Sequence, residues 1–147
     1  MRLCYGLILA SVAACGSSTS DSSSPPPPPP PAPPPVANVG MTDNNGLAPY
    51  RFSPETLTVT VGTIVKWTNN GNAAHTTTND ASPTPIWNSG SVNPAGTTMC
   101  APNDPYCQPA GTPAGTYQRT FSTAGTYPYH CEIHGQQGMT GVVVVTP

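Results

Sequence analysis

Polar and apolar residues alternate along several short segments of the chain. Residues 55–61 read Glu-Thr-Leu-Thr-Val-Thr-Val, so every second side chain lies on one apolar face, as in a strand with one buried side. Short strand-like segments between turn signals follow at 64–68, 74–78, 117–121, 126–131 and 142–146. No stretch shows sustained helical periodicity with caps. The pattern predicts an all-β fold, built as a two-sheet sandwich.

Large apolar residues within these segments are expected to fill the core between the sheets. The predicted core aromatic residues are Trp67, Trp87, Phe121 and Tyr127. Ile86 together with Trp87 is predicted to form a short buried segment. Residues 93–115 are dense in Pro and Gly, and we interpret them as a long loop insertion.

The first 15 residues resemble an export signal. Arg2 is followed by an apolar stretch that is too short to span a bilayer. Small residues then precede Cys15, as in the lipobox of bacterial lipoproteins. That resemblance implies cleavage before Cys15 and acylation of its sulfur. The alternative is an ordinary signal peptide cut nearby, but the Cys lies where small residues end the apolar stretch, which favours the lipobox.

Residues 16–40 are rich in Ser and then in Pro, with an unbroken proline run at 25–31. Such a segment cannot bury a core, and proline favours the extended polyproline II form. At about 3.1 Å per residue it would form a tether some tens of Å long. A proline-rich ligand for a partner domain is the alternative, but a tether directly after a lipid anchor explains the position fully. Residues 41–147 then remain as one small domain.

Charge is sparse in this chain, with four basic and six acidic side chains among 147 residues. No basic patch is present, so nucleic acid is not expected as a partner. The weak charge also argues against strong electrostatic steering toward a highly charged partner.

The five cysteines have different predicted fates. Cys4 leaves with the signal, and Cys15 carries lipid. Six residues separate Cys100 from Cys107, and in an exported protein such a pair is most simply a disulfide that staples the insertion. A second metal site at this pair is the weaker alternative, because no His lies close in sequence. Cys131 is then the only free thiol of the domain.

Candidate chemistry is concentrated near the C-terminus. Cys131, His134 and Met139 place a thiolate, an imidazole and a thioether on one short loop, and His75 offers a second imidazole upstream. Two nitrogens, one thiolate and one weak axial sulfur are the ligand set of copper electron-transfer sites. We therefore predict that these four residues bind one copper ion.

The segment 127–139 resembles the C-terminal ligand loop of plastocyanin-like cupredoxins, and the strands before His75 resemble the matching family segment. The resemblance runs from about residue 50 to 145. It implies a Greek-key cupredoxin sandwich that cycles one ion between Cu(II) and Cu(I). Plastocyanins commonly carry an Asn where this chain has Thr76, whose hydroxyl is expected to make a similar bond between the ligand loops.

Neighbouring residues of the ligand segment have different expected roles. Adjacent strand residues face opposite sides, so His130 should point away from the metal if Cys131 points toward it. We therefore exclude His130 as a ligand and expect a partly exposed residue. Gly135 and Gly138 are expected to let the loop turn tightly.

The predicted function is one-electron transfer, not enzymatic catalysis, by a monomer with transient redox protein partners. The resemblance implies electron entry or exit at the edge of His134, next to an apolar patch that includes Ala73 and Ala74. An alternative is copper handling by an envelope chaperone or scavenger. An oxidase or reductase, which needs further His pairs, and a metal-free adhesion sandwich fit less well. Because Gly16 follows Cys15 where an Asp would retain some lipoproteins at the inner membrane, we expect an outer-membrane anchor facing the periplasm.

Overall fold

Strands dominate the computed structural model, which describes residues 27–96 and 110–147. Within these ranges the strands are β1 (Val36–Asn44), β2 (Leu47–Ser53), β3 (Thr56–Thr60), β4 (Ile64–Asn69), β5 (Thr78–Asn79), β6 (Thr116–Thr120), β7 (Gly125–His130) and β8 (Thr140–Thr146). One sheet has the order β2-β1-β4-β6 and the other β3-β8-β7-β5. The pairs β1–β4 and β3–β8 are parallel, and the remaining pairs are antiparallel. The predicted all-β two-sheet sandwich is confirmed.

Alternating side chains from both sheets form the core. In β4, Val65 and Trp67 are fully buried, while the alternate residues Ile64, Lys66 and Thr68 are partly exposed. The predicted core aromatics are confirmed for Trp67, Trp87 and Phe121, and Tyr127 packs against them from a partly buried position. The prediction for Ile86 is wrong, because its side chain is 49% exposed. Since Trp87 faces the core, its neighbour faces outward.

The β1–β2 hairpin (residues 36–53) was not expected from the hydrophobic pattern. β1 begins at Val36, before the predicted domain start at residue 41, and pairs with β4 along its length. The two hairpin strands are joined by Asn45 and Gly46, whose φ angles of 53° and 83° are those of a type I′ turn. The pairing register shifts between Thr42 and Asn44, because residues 48–50 of β2 stand opposite Asp43 alone.

The eight strands of the described residues all belong to the compact unit that begins at Ala32. Residues 27–35 are exposed and have no regular secondary structure. The predicted signal with Cys15, and the predicted Cys100–Cys107 disulfide, lie outside the described residues and stay predictions. In the described part of the chain, no helix has the length and apolar character needed to cross a membrane.

Candidate metal centre

The ligand loop, residues 131–139, connects β7 to β8 through a single turn of 3-10 helix at Gly135–Gln137. The loop is closed by two backbone hydrogen bonds: the Cys131 amide donates to Met139 O at 3.1 Å, and the Met139 amide donates to His134 O at 3.2 Å. Gly138 follows the turn with φ 85°, a left-handed conformation that favours glycine. Gly135 has no positive φ, so only Gly138 has the predicted conformational role.

His75 reaches the centre from the long connection between β4 and β5. It forms an isolated antiparallel bridge with Val92, in which each amide donates to the other carbonyl at 3.1 and 2.7 Å. The next residue, Thr76, makes two hydrogen bonds to the ligand loop. Its amide donates to Cys131 Sγ at 3.3 Å, and its Oγ1 accepts the Glu132 amide at 2.8 Å. The predicted Thr76 bond between the two loops is confirmed.

The structure brings three of the four predicted ligands together at donor-atom level. His75 Nδ1 and His134 Nδ1 are 3.1 Å apart, and Cys131 Sγ lies 4.0 and 3.6 Å from them respectively. Among the described residues, these three side chains form a group whose donor atoms lie close enough together to hold one metal ion. His75 and Cys131 are fully buried, and His134 is 9% exposed.

These separations fit a shared metal ion. Metal bonds of about 2.0 Å to nitrogen and about 2.3 Å to sulfur are long enough to join such atoms through one centre. Thiolate and imidazole donors together suit copper. Met139, the fourth predicted ligand, is fully buried and is joined to Cys131 and His134 through the backbone bonds of the loop. Its ligation stays a prediction.

Comparison with known proteins decides the family. Residues 37–146 match the copper-binding proteins of the plastocyanin/azurin family. This chain belongs to that family. The chloroplastic plastocyanin of Tetradesmus obliquus is 34% identical over 110 residues, which cover 74% of this chain and 66%, just under two thirds, of that protein. Plastocyanin A/B of Petroselinum crispum is 32% identical over 105 residues, which cover 71% of this chain and 93% of that protein.

The sandwich is also found among solved structures. The purple cupredoxin from Nitrosopumilus maritimus superimposes with a TM-score of 0.52 at 23% identity, covering 75% of this chain and 99% of that one. This likeness concerns the fold alone. Family membership and the His-Cys-His cluster together identify the chain as a plastocyanin-like cupredoxin whose cofactor is one copper ion.

Asp43 is a residue of this cupredoxin centre that sequence reasoning missed. Its Oδ2 lies 3.2 Å from His75 Nε2, and both side chains are fully buried. The same oxygen accepts the amides of Asn72 at 2.8 Å and Ala73 at 2.9 Å, while Oδ1 accepts the Gly46 amide at 2.5 Å. Burial alone would raise the pKa of Asp43, but these hydrogen bonds hold it below its usual value.

Tyr50 is the second missed residue of the centre. Its ring stacks on the His134 ring with centroids 3.7 Å apart and an interplanar angle of 12°. Its hydroxyl donates to Gly46 O at 3.1 Å, which fixes the ring against the hairpin turn. Both missed residues come from the β1–β2 hairpin. The Asn45-Gly46 pair is the one local signal that predicts such a hairpin.

Both imidazoles of the centre favour the neutral, metal-binding form. Burial lowers the pKa of His75; Asp43 partly opposes this change, and His134 adds to it. Burial likewise lowers the pKa of His134, again partly opposed by Asp43. Neutral imidazole is the form that offers a lone pair to a metal ion.

His130 lies outside the metal centre, as predicted. Its side chain is 37% exposed and its Nδ1 contacts Asp80 Oδ1 at 2.5 Å. The adjacent Cys131 side chain points the other way and is fully buried.

Proposed function

We propose that this cupredoxin is a one-electron carrier whose copper ion is held by His75, Cys131, His134 and Met139. When bound, the ion supplies one-electron chemistry by alternating between Cu(II) and Cu(I). The observation that carries the proposal is the buried cluster of one thiol and two imidazole nitrogens within 4.8 Å of one another.

The surrounding backbone and side chains hold these donors in place before a metal arrives. The Thr76 amide donates to Cys131 Sγ, the Thr76 hydroxyl is tied to the Glu132 amide, and His75 is held through its bridge with Val92. Donors fixed in this way move little when the charge at the centre changes. Fast electron transfer needs such a rigid centre more than metal exchange does, which favours a carrier over a copper chaperone or scavenger.

Electron exchange is expected at the His134 edge of the domain. His134 is the least buried of the three clustered donors, and the neighbouring Ile133 is 51% exposed. Ala73 and Ala74 are partly exposed, in keeping with the expected apolar contact surface. Redox partners that use small contact areas bind weakly and briefly, so we expect transient protein partners and a monomeric carrier.

We also propose that the carrier works in the bacterial cell envelope, attached by lipid on Cys15 at the end of the proline-rich tether. The support is the signal-like first segment followed by small residues and a Cys. Replacement of Cys15 by Ser should release the protein from the membrane fraction into the soluble envelope fraction.

Copper loading of the purified domain tests the carrier proposal. We expect an intense visible thiolate-to-copper band, a Cu(II) EPR signal and reversible one-electron reduction. Cys131→Ser should abolish the band, whereas His130→Gln, a change of the adjacent residue that faces away, should keep it. A band that survives Cys131→Ser would show that the ligand assignment is wrong, and colourless, rapidly exchanging copper would favour copper handling.

A further inference from the structure

Asp43 lies in β1, and its carboxylate points at the metal centre. The register of the β1–β2 pair shifts around this residue, because Asp43 alone stands opposite residues 48–50 of β2. Such irregularities are frequent beside functional sites. The carboxylate meets His75 Nε2 at 3.2 Å, on the side of the ring opposite to the atom that faces His134 and Cys131.

The neighbouring backbone leaves room for this carboxylate. A Cβ at Gly71 would overlap the Asp43 carboxylate, so the absence of a side chain at Gly71 makes the close approach feasible. Burying a charged carboxylate is costly unless it is fully hydrogen-bonded. Three amides and one imidazole satisfy Asp43, so the buried charge is well compensated.

The contact with Asp43 also determines which ring nitrogen of His75 carries the proton. An ionised carboxylate only accepts hydrogen bonds, so His75 Nε2 must carry the hydrogen. His75 Nδ1 is then left with a free lone pair directed toward His134 and Cys131.

The charge of Asp43 acts differently on the two oxidation states. A thiolate and two neutral imidazoles leave a formal charge of +1 around Cu(II) and zero around Cu(I). A nearby negative charge favours the more positive state. The buried carboxylate therefore stabilises the oxidised centre.

We propose that Asp43 is a positioning residue of this metal centre, which orients His75 with Nδ1 toward the ion and lowers the reduction potential. The inference rests on the proposed function, because it requires copper at the His75–Cys131–His134 cluster. It adds a charged partner for the ligand, supplied by the N-terminal hairpin.

Two substitutions separate the charge from the hydrogen bond. Asp43→Asn removes the charge but leaves an amide oxygen that can accept from His75, and Asp43→Ala removes both. For Asp43→Asn we expect the ratio of Cu(I) to Cu(II) affinity to rise about tenfold, which is a potential about 59 mV higher for one electron. Glu55→Gln makes the same charge change at an exposed residue just before β3 and should shift the ratio less than twofold.

Metal-free protein gives a readout that does not depend on copper. Long-range ¹H–¹⁵N NMR of the wild-type apo protein should show His75 protonated at Nε2. Asp43→Asn should keep this tautomer, whereas Asp43→Ala should populate the Nδ1-protonated form. Should Asp43→Ala fail to fold, the wild-type spectrum and Asp43→Asn still decide the question.

Two results would overturn the proposal. Wild-type His75 protonated at Nδ1 would refute the orienting role. If the reduction potential of Asp43→Asn were no higher than that of Glu55→Gln, the electrostatic role would be refuted. Asp43 would then only hold the neighbouring loops through its hydrogen bonds. A wild-type protein without a thiolate-to-copper band would instead refute the proposed function, and the tautomer of the apo protein would remain a separate result.

Discussion

The ligand loop and the β1–β2 hairpin both reach the metal centre, but they contribute different things. The loop supplies Cys131 and His134 from positions close in sequence. The hairpin supplies no donor; it brings Asp43 against the far side of one imidazole and Tyr50 against the face of the other. Two of the three clustered donors thus come from one short segment and His75 comes from the β4–β5 connection, whereas the hairpin adds to the orientation and environment of the two imidazoles.

Removal of a metal-binding side chain should show most clearly that the ligand loop and the hairpin have different roles. His134→Ala should lower Cu(II) affinity by more than about 100-fold, since removal of even an outer partner of a ligand costs about 10–100-fold. The apo domain should stay within about 2 kcal/mol of wild type, because the His134 ring has two ring contacts, a stack on Tyr50 and an edge contact with His75, and each such pair contributes about 1 kcal/mol. Competition titration with a copper chelator and thermal unfolding of apo protein measure the two effects. Unfolding of the apo variant at room temperature would contradict this division of roles.

Tyr129 belongs to β7, which leads into the ligand loop, and it contacts the β1–β2 hairpin in the core. Its ring packs edge-on against Phe52 at 4.7 Å, and its side chain is fully buried. Burial raises the pKa of Tyr129 from 10.0 to about 12. Because the unfolded chain then loses its phenol proton first, the stability should be fully present below pH 10 and fall as the pH rises toward 12, by about 3 kcal/mol.

Denaturant unfolding of the apo domain across this pH range measures the effect. Tyr129→Phe is the matched control, since it keeps the ring and removes the titrating hydroxyl. Within the described residues that hydroxyl has no hydrogen-bond partner, so its removal should cost little at neutral pH. If the free energy of unfolding of Tyr129→Phe fell equally steeply at alkaline pH, groups other than the Tyr129 hydroxyl would cause the loss of stability.

The smallest effect on stability and copper affinity is expected from Tyr50, whose ring stacks on His134. Tyr50→Leu removes the stacked ring and should lower the free energy of unfolding of the apo domain by about 1 kcal/mol. Cu(II) affinity should change less than about tenfold, because no donor is lost. Tyr50→Phe keeps the stack and loses the bond to Gly46 O, so it isolates the contribution of the hydroxyl. A larger loss of copper in Tyr50→Leu than in His134→Ala would reverse the comparison.

Sequence reasoning reached the parts of this molecule that are encoded locally. Alternation located β3, β4, β6, β7 and β8, and the spacing of Cys131, His134 and Met139 indicated one loop. The contact between Thr76 and that loop was also anticipated. Each of these features depends on neighbours in sequence or on a family motif.

The hairpin was missed for a physical reason. Residues 36–40 follow a proline-rich run and have little apolar contrast, so β1 was merged into the tether. Its strand character comes from pairing with β4 and β2. Asp43 then meets His75 across 32 positions of sequence, and no local pattern marks such a contact.

The separation of the donors along the chain has a consequence for the order of events during biogenesis. The two facing imidazole nitrogens are 59 positions apart, and the Cys131 sulfur lies 56 positions from His75. Contacts this distant form late and require most of the sandwich to be in place. We therefore expect metal binding to follow folding, so that a newly made chain passes through a stage in which the Cys131 thiol is neither buried nor bound to metal.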